Sequence, residues 1–135
     1  MQLKPFRFGP IALTNTATTN LLNPGTTTGG VLPVAAAAGT FASSPYTNLY
    51  ILLSHIRVVN KTAGAVTFSL WLGATGANAA GTEVVGIGTS VPANSYIDVY
   101  FGSPGLRLDI GDFLVGGASA NTSLSIQGEG SIGIA

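Results

Sequence analysis

Val66-Thr67-Phe68-Ser69-Leu70-Trp71-Leu72 alternates apolar and polar side chains, with Trp71 the one apolar residue in the polar series. A period of two sends Val66, Phe68, Leu70 and Leu72 to one face of an extended strand and Thr67, Ser69 and Trp71 to the other. The same reading applies to Ser95–Phe101, where Ile97, Val99 and Phe101 oppose Tyr96, Asp98 and Tyr100. Near the end of the chain, Leu124, Ile126, Ile132 and Ile134 share a face, while Ser125, Gln127, Glu129 and Ser131 take the other. Gly128 and Gly130 interrupt that strand as candidate bulge positions.

Around these runs lie further strand signals at Tyr50–Asn60, Glu83–Ile87, Leu106–Ile110 and Phe113–Val115, separated by turns rich in Gly, Pro, Asn and Asp. No window carries a 3.6-residue apolar stripe of helical length. The expected fold is therefore all-β, an antiparallel sandwich of roughly six or seven short strands with a jelly-roll-like arrangement over residues 48–135. Asn60-Lys61-Thr62 and Asn121-Thr122-Ser123 read as turn chemistry.

Residues 1–47 differ in texture. Pro5, Pro10, Pro24, Pro33 and Pro45 each remove a backbone donor and push the preceding residue away from helix, and Ala35–Ala38 is too short to nucleate one. The expectation is an extended N-terminal arm whose apolar residues Phe6, Phe8, Ile11, Leu13, Leu21 and Leu22 contact a partner. On this division, removing residues 1–44 should leave a folded sandwich that has lost its binding.

Composition narrows function. The 135 residues carry 5 Lys and Arg against 5 Asp and Glu, one His and no Cys, with 7% charged and 46% hydrophobic residues. A neutral chain lacks the basic surface that releases phosphate counterions, which argues against nucleic acid as a partner. The longest apolar run, Val31 to Ala38, is broken by Pro33 and falls short of the ~20 residues of a spanning helix, so no membrane partner is expected. Lys4 and Arg7 are followed by Gly9, Pro10 and a polar stretch rather than the apolar core of a signal peptide, which points to synthesis in a cytoplasm.

Candidate chemistry is sparse. His55 shares a strand face with Arg57, and Ser54 sits beside it rather than across from it, so the histidine reads as a packed or hydrogen-bonded strand residue. Asp98, Asp109 and Asp112, with Glu83 or Glu129, could in principle supply oxygen ligands, but their spacing fits no calcium loop and Arg107 lies close to Asp109. Gly86-Ile87-Gly88 and Gly128-Glu129-Gly130 continue into no phosphate-binding fingerprint. No catalytic, cofactor or metal residues are assigned, and the chain is read as a non-enzyme. Trp71, Tyr96 and Tyr100 fall on faces opposite the core and form the expected interface or sugar-stacking platform.

His55-Ile56-Arg57-Val58-Val59-Asn60, the following Ala65–Gly73, and Leu106-Arg107-Leu108-Asp109-Ile110-Gly111-Asp112-Phe113-Leu114 resemble small virion structural proteins of tailed bacteriophages, over about Leu49 to Ala118. That resemblance implies a β-sandwich head decoration (cement) protein on the capsid surface, with the major capsid protein as partner. A component of the tail or adhesion device binding a host glycan is the alternative. Low charge suits a protein buried among many copies of a shell, since each buried charge needs a partner. The expected assembly is a homotrimer, because capsids offer three-fold positions.

Overall fold

The computed structural model describes residues 3–22, 49–74, 76–109 and 111–134. These residues carry nine strands: β1 (Leu3–Ala12), β2 (Thr19–Leu22), β3 (Leu49–Asn60), β4 (Val66–Gly73), β5 (Thr89–Val91), β6 (Tyr96–Tyr100), β7 (Leu106–Leu108), β8 (Phe113–Ala118) and β9 (Leu124–Ile134). One sheet has the order β1-β9-β3-β6, with β7 following β6 along the same flank of β3. The other has the order β2-β8-β4-β5. All pairings are antiparallel. The chain is an all-β sandwich, as its alternation predicts.

The core forms where the inward sets of the two sheets meet. Ile51, Leu53, Ile56 and Val58 of β3 and Leu124, Ile126 and Ile132 of β9 come from one side, and Val66, Phe68 and Leu70 of β4 and Leu114 of β8 from the other. Most outward positions on β3 and β9, such as Leu52, His55, Arg57, Val59, Ser125, Gln127 and Glu129, stay half-buried or exposed, as on a solvated sheet face, whereas Tyr50 is buried. Asn60 is the buried polar exception. Its Nδ2 donates to the carbonyls of Gly64 (2.9 Å) and Val91 (3.0 Å), and its Oδ1 accepts from the Thr62 amide and hydroxyl, so this side chain pins the β3–β4 turn.

Residues 3–22 correct the expected division at residue 47. They supply an outer strand to each sheet, and Phe8, Leu13, Leu21 and Leu22 have no exposed surface. Pro5 and Pro10 do not prevent this, because among the described residues β1 pairs on one side only, with β9, and Pro10 falls at a register shift between Phe8 and Ile11. The remainder of the expected arm, from residue 23, lies outside the described residues. The Glu83–Ile87 strand is also corrected: only Glu83 makes an isolated bridge, to Trp71, and the strand beside β4 is Thr89–Val91. The bulges sit opposite the glycines of β9 rather than in them, at Phe8/Ile11 and at Leu53/His55.

Those glycines have a different task. A Cβ on Gly128 would stand 2.5 Å from the Phe8 ring and 2.8 Å from the His55 carbonyl, so the missing side chain is what admits the aromatic ring. Truncating a buried Phe removes roughly 3–5 kcal/mol, a large part of the ~5–15 kcal/mol by which a domain is stable. Phe8→Ala should therefore lower the thermal midpoint by well over 10 °C. Deleting residues 1–22 should abolish the cooperative transition in circular dichroism; a deletion variant that still melts sharply would show that β1 and β2 are dispensable.

Candidate binding face

The outer face of the first sheet brings together His55, Arg57, Asp98 and Glu129 with the exposed rings of Tyr96 and Tyr100. In β6 the alternation turns Ile97 and Val99 inward and Tyr96, Asp98 and Tyr100 outward. Antiparallel register then sets His55 beside Tyr100, Arg57 beside Asp98 and Val59 beside Tyr96, so His55 and Arg57 of β3 meet the β6 carboxylate.

Asp98 is the hub. Its Oδ1 accepts from His55 Nε2 and from Arg57 Nε, both at 2.8 Å, while Oδ2 accepts from Arg57 Nη2 at 3.1 Å. The Arg57 fork is bidentate, the strong form of a charge-assisted pair. His55 Nδ1 lies 3.7 Å from Glu129 Oε1, which places the imidazole between two carboxylates. These contacts also set the rings: His55 stacks on Tyr100 with centroids 4.6 Å apart and planes 22° from parallel, and the Arg57 guanidinium lies 4.2 Å from the centre of the Tyr96 ring. The Tyr96 and Tyr100 residues remain 50% and 72% exposed, whereas the Asp98 side chain is only 18% exposed. A shallow cleft of about 280 Å³ adjoins the cluster, lined by Arg7, His55, Arg57, Gln127 and Glu129.

Ser54 Oγ donates to the Glu129 carbonyl (3.0 Å) and His55 Nε2 is committed to Asp98, so serine and imidazole form no nucleophile–base pair. The acids do not converge. Arg107 pairs with Asp109 at 3.0 Å, Asp112 Oδ2 accepts the Asp109 amide, and no group of three potential metal ligands occurs among the described residues. Gly86 and Gly88 lie in an exposed turn, where the Gly88 amide donates to Ser69 Oγ.

The expected aromatic platform divides. Tyr96 and Tyr100 are exposed together, but Trp71 belongs to the second sheet and keeps only 6% of its surface exposed. The row Asn20, Val115, Trp71, Glu83 runs across the outer face of that sheet, and the Gly76 amide, after β4, donates to Asn20 Oδ1 at 2.7 Å at one end of it. Trp71 Nε1 is buried with no hydrogen-bond partner among the described residues. Of the expected arm contacts, Phe8, Leu13, Leu21 and Leu22 are used up in the chain's own core and Ile11 packs against it; the side chain of Phe6 lies outside the described residues.

No protein-family model matches the chain, and no curated protein matches it either.

The Arg57 hydrogen bond, reinforced by His55, lowers the Asp98 carboxyl from its ordinary 3.8 to about 2 despite the opposing effect of desolvation. A depressed carboxyl stabilises the fold fully above about pH 4 and loses that contribution as pH falls toward 2. The carboxyl-carbon NMR titration of Asp98 should therefore have its midpoint near 2, rise toward the ordinary range in Arg57→Gln, and rise less in His55→Gln. Equal shifts in both variants would show that the guanidinium is not the dominant partner.

Proposed function

We propose that this protein is a non-enzymatic virion structural protein of a tailed bacteriophage, a capsid decoration protein that binds and stabilises the lattice of major capsid protein. The observation that carries the reading is the Tyr96–Asp98–Tyr100 face. Two large exposed rings are held in place by His55 and Arg57 around a carboxylate that is already neutralised. Aromatic residues anchor protein interfaces, and rings fixed before binding lose little rotamer entropy on contact. The charge in the cluster is internally paired, so a neighbouring subunit can cover it without desolvating an isolated ion.

Two further features agree. Taking β6 and β7 as one interrupted strand leaves eight strand positions in two sheets of four, and the chain changes sheet at every connection except β4–β5. We read this as a jelly-roll order, a form that viral capsid domains use, although the same form serves lectins and other proteins. The sequence resemblance to small virion proteins points the same way. A homotrimer on three-fold capsid positions is the assembly we assign.

Purified protein should co-sediment with expanded heads of the phage concerned and raise their disruption temperature. Tyr96→Ala and Tyr100→Ala should each weaken that binding at least tenfold while shifting the protein's own melting temperature by less than about 3 °C, as befits exposed residues. Heads whose stability is unchanged at saturating protein would refute the capsid reading. Specific glycan binding, lost in Tyr100→Ala, would replace it with an adhesion role.

A further inference from the structure

Strand β6 is a sheet edge. Its inner flank pairs with β3 through Ile97 and Val99, the phase fixed by the bonds from the Phe101 amide to the Ser54 carbonyl (3.0 Å) and from the Asn60 amide to the Ser95 carbonyl (2.7 Å). Alternation then turns the amides and carbonyls of Tyr96, Asp98 and Tyr100 away from β3. No strand among the described residues pairs with that outer flank. Three donors and three acceptors thus stand at intervals of ~6.8 Å along an open edge.

The other edges are blunted. β1 carries Pro5 and Pro10 and a register shift; β2 has four residues and a register shift of its own; β5 has three residues. β6 has five residues, no proline and an unbroken register. Beside it, Ile97 and Val99 are only partly buried. Just past its end lies a cleft of about 400 Å³ between the sheets, lined by Leu72, Val84, Phe101 and Leu106 among others. Natural sheets protect such edges unless they are used.

We propose that β6 receives an extended segment of the partner protein by strand addition, with three consecutive outward-facing residues supplying the main-chain hydrogen bonds. The segment that fits is amphipathic at period two. One set of its side chains is apolar and packs on Ile97, Val99 and the Leu72–Phe101 cleft, while the other carries β-branched or aromatic residues beside Tyr96 and Tyr100 and no acid opposite Asp98. A second copy of this chain fits poorly, because the antiparallel register of greatest overlap sets Asp98 against Asp98. The proposal rests on the capsid reading only for the partner's identity.

The test uses full-length protein and a random ten-residue peptide display library, followed by site-resolved amide exchange on the protein with the selected synthetic peptides. In the free protein the amides of Ile97 and Val99 should exchange slowly and those of Tyr96, Asp98 and Tyr100 fast. A selected peptide should slow the latter three at least tenfold. N-methylation at alternate peptide residues should abolish binding in one phase and spare it in the other. Tyr100→Pro, which removes an outward amide that β3 does not use, should bind at least tenfold more weakly than Tyr100→Ala. Failure to select any peptide that protects these amides overturns the proposal, as does binding that leaves their exchange unchanged. Protection already present in the free protein and rising with its concentration would assign the edge to a second copy instead. Because heads are not used, strand addition can fail while head binding stands, and head binding can fail while strand addition stands.

Discussion

The Phe8 ring over the bare Cα of Gly128 is the contact on which the sandwich closes. β9 lies between β1 and β3, and its core face carries Leu124, Ile126 and Ile132 with two glycines in the middle. At Gly128 the gap is filled by an aromatic ring from one neighbour; at Gly130 a Cβ would collide with the Leu52 carbonyl of the other. Small residues in the middle strand thus let both flanking strands come close. Because the ring comes from the eighth residue and the glycine from the far end of the chain, closing this contact carries a high loop-closure cost. The core cannot finish assembling until both ends of the chain have met.

The two outer faces solve the same exposure problem differently. On the second sheet, connecting segments fasten to the strands: the Gly76 amide is held by Asn20, and the backbone at Thr16 lies against Gly117. On the first sheet Tyr96 and Tyr100 stay open while Tyr50 is buried, and charge is used to position rings. Arg57 lies over Tyr96 while gripping Asp98, and Arg107 lies over Tyr50 while gripping Asp109. A nearly uncharged composition is compatible with this, since each of these guanidiniums serves a carboxylate and an aromatic ring at once. Exposed ion pairs of this kind add little to stability. Their effect here is geometric, because they restrict the rotamers of side chains that would otherwise sample solvent.

Sheet-level features were legible wherever the period of two ran unbroken, as in β4, β6 and β9. The first strand was hidden by a phase change. Phe8, Ile11 and Leu13 follow an alternating pattern with one extra residue at Gly9-Pro10, and a reader who treats the prolines as breakers does not see a strand with a bulge. The cluster itself was half legible. His55 with Arg57, and Tyr96 with Asp98 and Tyr100, could be assigned to common faces of their strands, but nothing local says that β3 pairs with β6 about forty residues away. Sequence alone therefore does not pair Asp98 with Arg57 and His55. Trp71 lies on the face turned from the core, yet it is buried, which alternation in β4 cannot reveal.

Edge protection and binding draw on the same hydrogen bonds, so the edge a protein leaves open is informative. Among the described residues, prolines, short strands and register shifts guard three of the four sheet edges, each at some loss of regular pairing. Among the described residues the outer flank of β6 has no partner strand, so its amides and carbonyls are open to an extended chain. Asp98 supplies the restraint. It sits at the centre of the edge, where self-pairing at full overlap would oppose two carboxylates, while Arg57 and His55 keep its charge satisfied when a dissimilar strand arrives. One carboxylate thus disfavours the identical partner and tolerates the different one, which is how specificity arises from a difference of affinities rather than from attraction alone.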